Sequence, residues 1–376
     1  MTTLGTPVLS ALTTLRLGGP AGRLVDATTE AELVGTVRDA DAAGEPVLVL
    51  GGGSNLVVAD AGFDGVVVRD ARRGIEVDDA DSCGGASIRV PAGTPWVDVV
   101  DRAVASGWVG VEALAGIPGS TGATPVQNVG AYGQEVSGVV STVRVWDREQ
   151  SRVRTLSLVD LAFGYRTSVL KRSLRADDGG PSRFAPTPRY VVLDVGFQLR
   201  LGTLSAPVAY PELARRLGVD VGSRAALADV RAAVLELRTG KGMVLDAADP
   251  DTWSAGSFFT NPVVPAELAG TLPDGAPRFE VRSARPERTT GPSLGTVDAS
   301  LVKTSAAWLI EHAGFGKGHG LPGTVGLSTK HPLALTHRGG GTTAELLALA
   351  REVRDGVRER FGIELEPEPV LVGCTL

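Results

Sequence analysis

The sequence predicts an α+β protein. Three observations carry that expectation: short apolar runs of strand type recur through residues 24–201, capped amphipathic helices are set between and after them, and near residue 209 the chain turns from strand-rich to helix-rich. At about 150 residues per domain, a length of 376 residues gives two or three domains with room for several cores. A domain boundary is placed near 209. Glycine is the outlier in composition, with 49 copies against the usual share of about 7% and no G-X-Y period.

The chain opens as strand, helix, strand: LVDA at 24–27, a helix over 29–43 and PVLVL at 46–50. Thr29 and Glu32 have capping-box spacing, Leu33 and Val37 form the inward stripe, and Gly44 stops the helix. Strand-type runs follow at 66–68 and 86–90, and Thr94-Pro95 opens a second helix with Val97, Val100 and Val104 on one face and Gly107 at its end. Residues 110–138 are nearly all small or turn-forming. Strands resume at 139–146 and 189–201, separated by a loop at 175–188. Residues 210–217 and 224–238 read as helices, whereas 273–298 are rich in Pro, Arg and Gly without periodicity and read as a loop. A helix at 305–314 turns Ala306, Leu309 and Ile310 inward. Thr342 and Glu345 form another capping box, opening a helix that carries Leu346, Leu349, Val353 and Val357 and stops at Gly362. IELEPEPVLVG, at 363–373, reads as a final strand.

Composition narrows the function. The 37 basic and 43 acidic residues give −6, so no general basic stripe for nucleic acid is expected, although local anion sites are. Cys83 and Cys374 form no CxxC pair, which indicates neither a disulfide framework nor a metal cage. His312, His319, His331 and His337 lie in no HExxH spacing, so no metal is expected. The N-terminus lacks a basic segment before an apolar one, and no run approaches the roughly 18 apolar residues that span a bilayer. A cytoplasmic, unexported protein follows as the expectation.

Three clusters hold the candidate chemistry. In LVLGGGSNLVV (48–58), successive amides of Gly51, Gly52 and Gly53 suit a pyrophosphate nest, with donors from Ser54 and Asn55, and a plain glycine hairpin fits these residues equally. A dinucleotide GxGxxG fails because position 56 is Leu56, and neither Lys241 nor Lys317 sits in a Walker loop. The run GIPGSTGATPVQNVGAYG (116–133) lets backbone approach a flat ligand, and long loops inside compact domains are usually functional. In SAGSFFTNP (254–262), Ser257 lacks the GxSxG context of a hydrolase nucleophile. Glu366 and Glu368 flank Pro367 and would share a side in a strand, as two solvated carboxylates or as a functional pair. Arg166, in FGYRTS, offers the planar fork that grips a carboxylate or phosphate.

Six segments in this order resemble the UDP-N-acetylenolpyruvoylglucosamine reductase family: GGGSN (51–55), GIPGSTGATPVQNVGAYG (116–133), FGYRTS (163–168), GSFFTNP (256–262), SAAWLIE (305–311) and LEPEP (365–369). They span nearly the whole chain. Tyr210, in VAYPEL, matches the long form of the family, whose lid the short form lacks. The resemblance implies a two-part FAD-binding domain of the vanillyl-alcohol-oxidase type followed by a smaller α+β substrate-binding domain. The implied divisions are 1–75 with the C-terminal strand 363–376, then 76–235, then 236–362.

The family's chemistry implies that NADPH reduces a non-covalent FAD and is replaced by UDP-N-acetylglucosamine enolpyruvate, whose C3 takes hydride from flavin N5. Matching motifs assign cofactor contacts to Gly51, Gly52, Gly53, Ser54, Asn55, Gly119, Ser120, Gly122, Ala123, Gln127, Asn128 and Gly130. They assign substrate contacts to Tyr210, Lys241, Asn261 and His331. Ser257 takes the role of proton donor to C2, while Arg166 and Glu368 meet the charge that develops on the enediolate. Glu368 is expected to donate from a protonated state, its pKa raised by burial and the neighbouring anion. A monomer is expected. An alcohol or hydroxy-acid oxidase on the same fold and a non-catalytic sugar-nucleotide binder are the alternatives. Many such oxidases tether flavin through His or Cys, and this chain has no His before 312 and only Cys83 in its N-terminal half.

Overall fold

The structure, a computed structural model, describes residues 7–81, 83–286 and 295–376. The chain gathers into two units: Pro20–Gly53 with Phe63–Leu245, and Val8–Gly19 with Ser54–Gly62 and Asp246–Leu376. Beyond residue 62 the chain passes from the first unit to the second once, at 245/246.

In the first unit, strands Ala21–Ala27, Phe63–Asp70 and Val47–Leu50 form a parallel sheet in that order. The connecting helix Glu30–Ala43 has the expected capping box, and Gly44 ends it at φ 69°. That left-handed cap favours a residue without Cβ. Leu33, Val37 and Ala40 pack on the sheet and on Trp146, Val191 and Leu193, making one core. A larger core lies on an antiparallel sheet ordered Arg152–Ser157, Val140–Asp147, Tyr190–Leu201, Gly85–Pro91 and Glu76–Asp81. Alternation along Tyr190–Leu201 serves both cores, since Val191 and Leu193 face one and Val192 the other.

Helix Trp96–Ala105 buries Trp96, Val99, Val100 and Ala103, a clean i, i+3, i+4, i+7 set. The expected Val97 face is wrong: Val97 is 44% exposed, because the overlapping stripe that carries the bulkier Trp96 packs inward instead. Strands Glu76–Asp81 and Arg152–Ser157 escaped the sequence reading, the former being exposed along its whole length and so lacking alternation. The 175–188 loop is pinned by Arg148, whose guanidinium is bidentate to Asp41 at 3.0 and 2.6 Å and donates to the carbonyl oxygens of Phe184 and Thr187.

The second unit has its own core of Phe258, Phe259, Leu309, Ile310, Leu346, Val353 and Val357. Helix Thr343–Phe361 has the expected capping box and stops at Gly362. Residues read as the 273–298 loop instead contribute strand Arg278–Pro286, antiparallel to Gly295–Thr304; residues 287–294 lie outside the described ones. The second of these strands is buried only at its two ends, so no one-sided pattern marks it. The expected strand over 363–373 is shorter, Val370–Val372, parallel to Leu56–Val58. Upstream of it Pro367 and Pro369 lack amide donors, and a single bridge joins Pro367 to Phe259. Glu366 and Glu368 thus lie outside the strand itself.

Asp251 clasps the loop that carries Ser328 and Thr329. Oδ1 accepts from the Thr329 amide at 2.8 Å and Arg338 Nη2 at 2.5 Å, and Oδ2 accepts from the Thr329 hydroxyl at 2.6 Å. Burial opposes its charge, but these bonds outweigh burial and hold the carboxyl down to about 2. A depressed pKa stabilises the fold above the unfolded value near 4 and loses that contribution as pH falls through about 2. The stability advantage of wild type over Asp251→Asn in urea unfolding should therefore shrink by about 2 kcal/mol over this window. An advantage independent of pH would show that the clasp does not depend on the charge.

Candidate active site

In the first unit, strand Val47–Leu50 delivers Gly51 and Gly52 against the second glycine loop. A Cβ on Gly51 would collide with Ser120 Oγ, and one on Gly52 would stand 2.6 Å from Gly119 Cα. The second loop is registered in turn on 92–96, since Trp96 N donates to Gly119 O, Thr121 N to Thr94 O and Gly122 N to Ala92 O, at 2.8–3.0 Å. Gly51 and Gly52 are exposed while Ser120 and Gly122 are buried. The two clusters singled out in the sequence thus become one surface of bare backbone.

This surface fits a flavin dinucleotide. Its exposed glycine amides suit a pyrophosphate, and its shape excludes the side chains that would displace one. Gly51, Gly52, Gly53, Gly119, Ser120, Gly122, Ala123, Gln127 and Gly130 lie on the two loops. Asn128 sits there differently: it is 1% exposed, its Nδ2 donates to Glu135 Oε2 at 2.7 Å and to Gly164 O, and its Oδ1 accepts from Ser137 N. It fastens the loop to FGYRTS. Arg166 has φ 50° and donates through Nη2 to Gly130 O at 2.8 Å and through Nη1 to Asn128 O.

A second cluster in this unit joins Tyr210 and Lys241 to two residues that the sequence reading missed. Lys241 Nζ is 2.5 Å from Glu212 Oε2 and 5.6 Å from the Tyr132 ring centroid, and the Tyr132 and Tyr210 rings meet edge to face at 5.7 Å. Burial pushes the Tyr132 phenol up, against the pull of Lys241. Tyr132 lay within the GAYG motif and Glu212 within VAYPEL, but only the fold brings them to Lys241.

In the second unit, Ser257 is half-buried on a segment held from both sides. Phe258 N donates to Leu333 O at 2.7 Å, and Glu368 N donates to Phe258 O at 2.8 Å. Asn55 joins this group, accepting from Val370 N at 3.0 Å and donating through Nδ2 to Glu368 O. Ser257, Glu368 and Asn55 are therefore brought together, with Ser54 beside Asn55. Asn261 caps a helix, its Oδ1 accepting from Ala306 N at 2.9 Å. The His331 amide donates to Ser328 Oγ, on the loop clasped by Asp251. Among the described residues no group of three or more His, Cys, Asp or Glu suits a metal ion, and no helix is long and apolar enough to cross a membrane.

Residues 21–157 match the FAD binding domain family, and residues 249–372 match the UDP-N-acetylenolpyruvoylglucosamine reductase C-terminal domain. A UDP-N-acetylenolpyruvoylglucosamine reductase from Saccharopolyspora erythraea is 54% identical over 374 residues, covering 99% of this chain and 96% of its own length. The chain belongs to the UDP-N-acetylenolpyruvoylglucosamine reductase family. One of that name from Cutibacterium acnes is 51% identical over 98% of this chain and 90% of its own length. The crystal structure of the Thermus caldophilus reductase superposes with TM-score 0.60 at 25% identity, covering 97% of both chains. This family member is an FAD-dependent oxidoreductase of peptidoglycan synthesis.

The glycine contact yields a prediction. Gly52→Val forces the two loops apart, so the purified variant should keep its helical circular dichroism but retain only a minor fraction of its flavin, read as visible absorbance per chain. Full colour in that variant would remove the loop contact from the cofactor site.

Proposed function

We propose that the protein reduces UDP-N-acetylglucosamine enolpyruvate to UDP-N-acetylmuramate in the cytoplasm, as a monomer, with NADPH as the electron donor. The observation that carries this reading is sequence identity above one-half, over nearly the full chain, to reductases of that name. The backbone bond that sets Glu368 beside the Ser257 segment supports it further.

FAD, when bound, would supply the hydride that C3 of the enolpyruvyl group takes. The protein's own residues handle the charge and the proton. Hydride arrival at C3 leaves negative charge on C2 and the adjoining carboxylate, which needs a cation and hydrogen-bond donors. Arg166 supplies the cation, held in a left-handed backbone conformation with its guanidinium on two loop carbonyl oxygens. Glu368 donates from the protonated state, since an ionised carboxylate would repel the substrate's own. Ser257 Oγ gives its proton to C2; the weak acidity of a hydroxyl suffices because the enediolate is a strong base. Lys241 binds a diphosphate oxygen, Tyr210 closes over the uridine diphosphate, and Asn261 and His331 add polar contacts. The two glycine loops hold the cofactor without a covalent tether.

The test is NADPH oxidation by the purified flavoprotein with and without the enolpyruvyl sugar nucleotide. Wild type should turn over only with both. Ser257→Ala should reduce its flavin with NADPH at nearly the normal rate yet slow sugar-nucleotide reduction by about 10²–10⁴-fold. Equal loss of both half-reactions would make Ser257 structural. Flavin that stays with the denatured chain would favour the oxidase class instead.

A further inference from the structure

We infer that Glu212 is an internal counter-anion that occupies Lys241 until the phosphate of an incoming ligand displaces it, and so sets the affinity for anionic substrates. This rests on the reading of Lys241 as a phosphate contact. The 2.5 Å contact between Lys241 Nζ and Glu212 Oε2 places a carboxylate oxygen where a phosphate oxygen would bind. Both side chains are about one-third exposed, at 36% and 35%, so water and a soluble anion can reach the pair. The fold assembles it from far apart in sequence: Glu212 lies in the first turn of helix Pro211–Leu217, and Lys241 caps helix Leu227–Gly240.

Charge accounting gives the direction of the effect. Lys241 and Arg238 both act on the Tyr132 phenol as positive charges, and Glu212 acts on it as a negative one. With Glu212 ionised the cluster carries one net positive charge, and with Glu212 neutral it carries two. A dianionic diphosphate prefers the latter. Lysine is a compact point charge whose three donors re-aim readily, so exchanging one oxygen anion for another needs no rearrangement of the main chain. Glu212 follows Tyr210 by two residues on the same segment, so taking Lys241 from Glu212 also loosens the carboxylate that tethers the Tyr210 segment to the cluster.

An exposed pair of this kind is weak enough to be displaced. Glu212→Gln in the FAD-loaded protein should lower the Kd for UDP-N-acetylglucosamine enolpyruvate, measured by titration calorimetry without NADPH, by about two- to fivefold. KM should fall with it. Damage to the fold would weaken binding, so a gain cannot arise that way. Lys241→Gln should raise Kd, and Glu212→Gln should give no gain in the Lys241→Gln background. A Glu212→Gln protein that binds more weakly, or unchanged, while Lys241→Gln loses affinity overturns the counter-anion and leaves the phosphate contact standing. Unchanged affinity in Lys241→Gln overturns both.

Discussion

The first unit depends on two stretches of backbone that approach too closely to admit a side chain at Gly52. Gly51 and Gly52 leave a parallel strand and meet Gly119 and Ser120, which are themselves fixed by amide bonds to the 92–96 segment. A Cβ at 52 would run into the Gly119 backbone and force the loops apart. The contact costs conformational entropy, since glycine loses more freedom on folding than any other residue. The packed strands on either side offset that cost, with Val47, Leu48 and Leu50 each 1% exposed. The result is a surface whose donors are main-chain amides, fixed in place before a ligand arrives. Preorganised donors need no rearrangement when an anion binds. The high glycine content of this chain is in part the consequence.

Local signals were legible in the sequence, and long-range ones were not. The helices Glu30–Ala43 and Thr343–Phe361 were readable because a capping box, an apolar stripe and a terminal glycine all lie within a few residues of one another. Trp96 was missed because two apolar sets overlap in this helix, Val97, Val100 and Val104 against Trp96, Val99, Val100 and Ala103, and only packing decides which turns inward. The strand Gly295–Thr304 is buried only at its two ends, so no one-sided periodicity could mark it. Of the site, the motifs supplied the residues on the glycine loops and the segments around Ser257 and Glu368. They could not supply Glu212, whose significance lies in a contact with a lysine on another helix.

The arginines and lysines of this acidic chain differ mainly in what answers them. Arg148 is buried against Asp41 and several carbonyl oxygens, and Arg338 against Asp251; such pairs fix loops, because breaking either strands a buried charge. Lys241 pairs with Glu212 where solvent reaches both, which leaves the pair exchangeable. Arg166 donates to the carbonyl oxygens of Asn128 and Gly130, which fix the direction of its guanidinium. Buried Asn128 stands behind that arrangement: its side chain ties Gly164, Ser137 and Glu135 to the loop whose carbonyl oxygens hold Arg166.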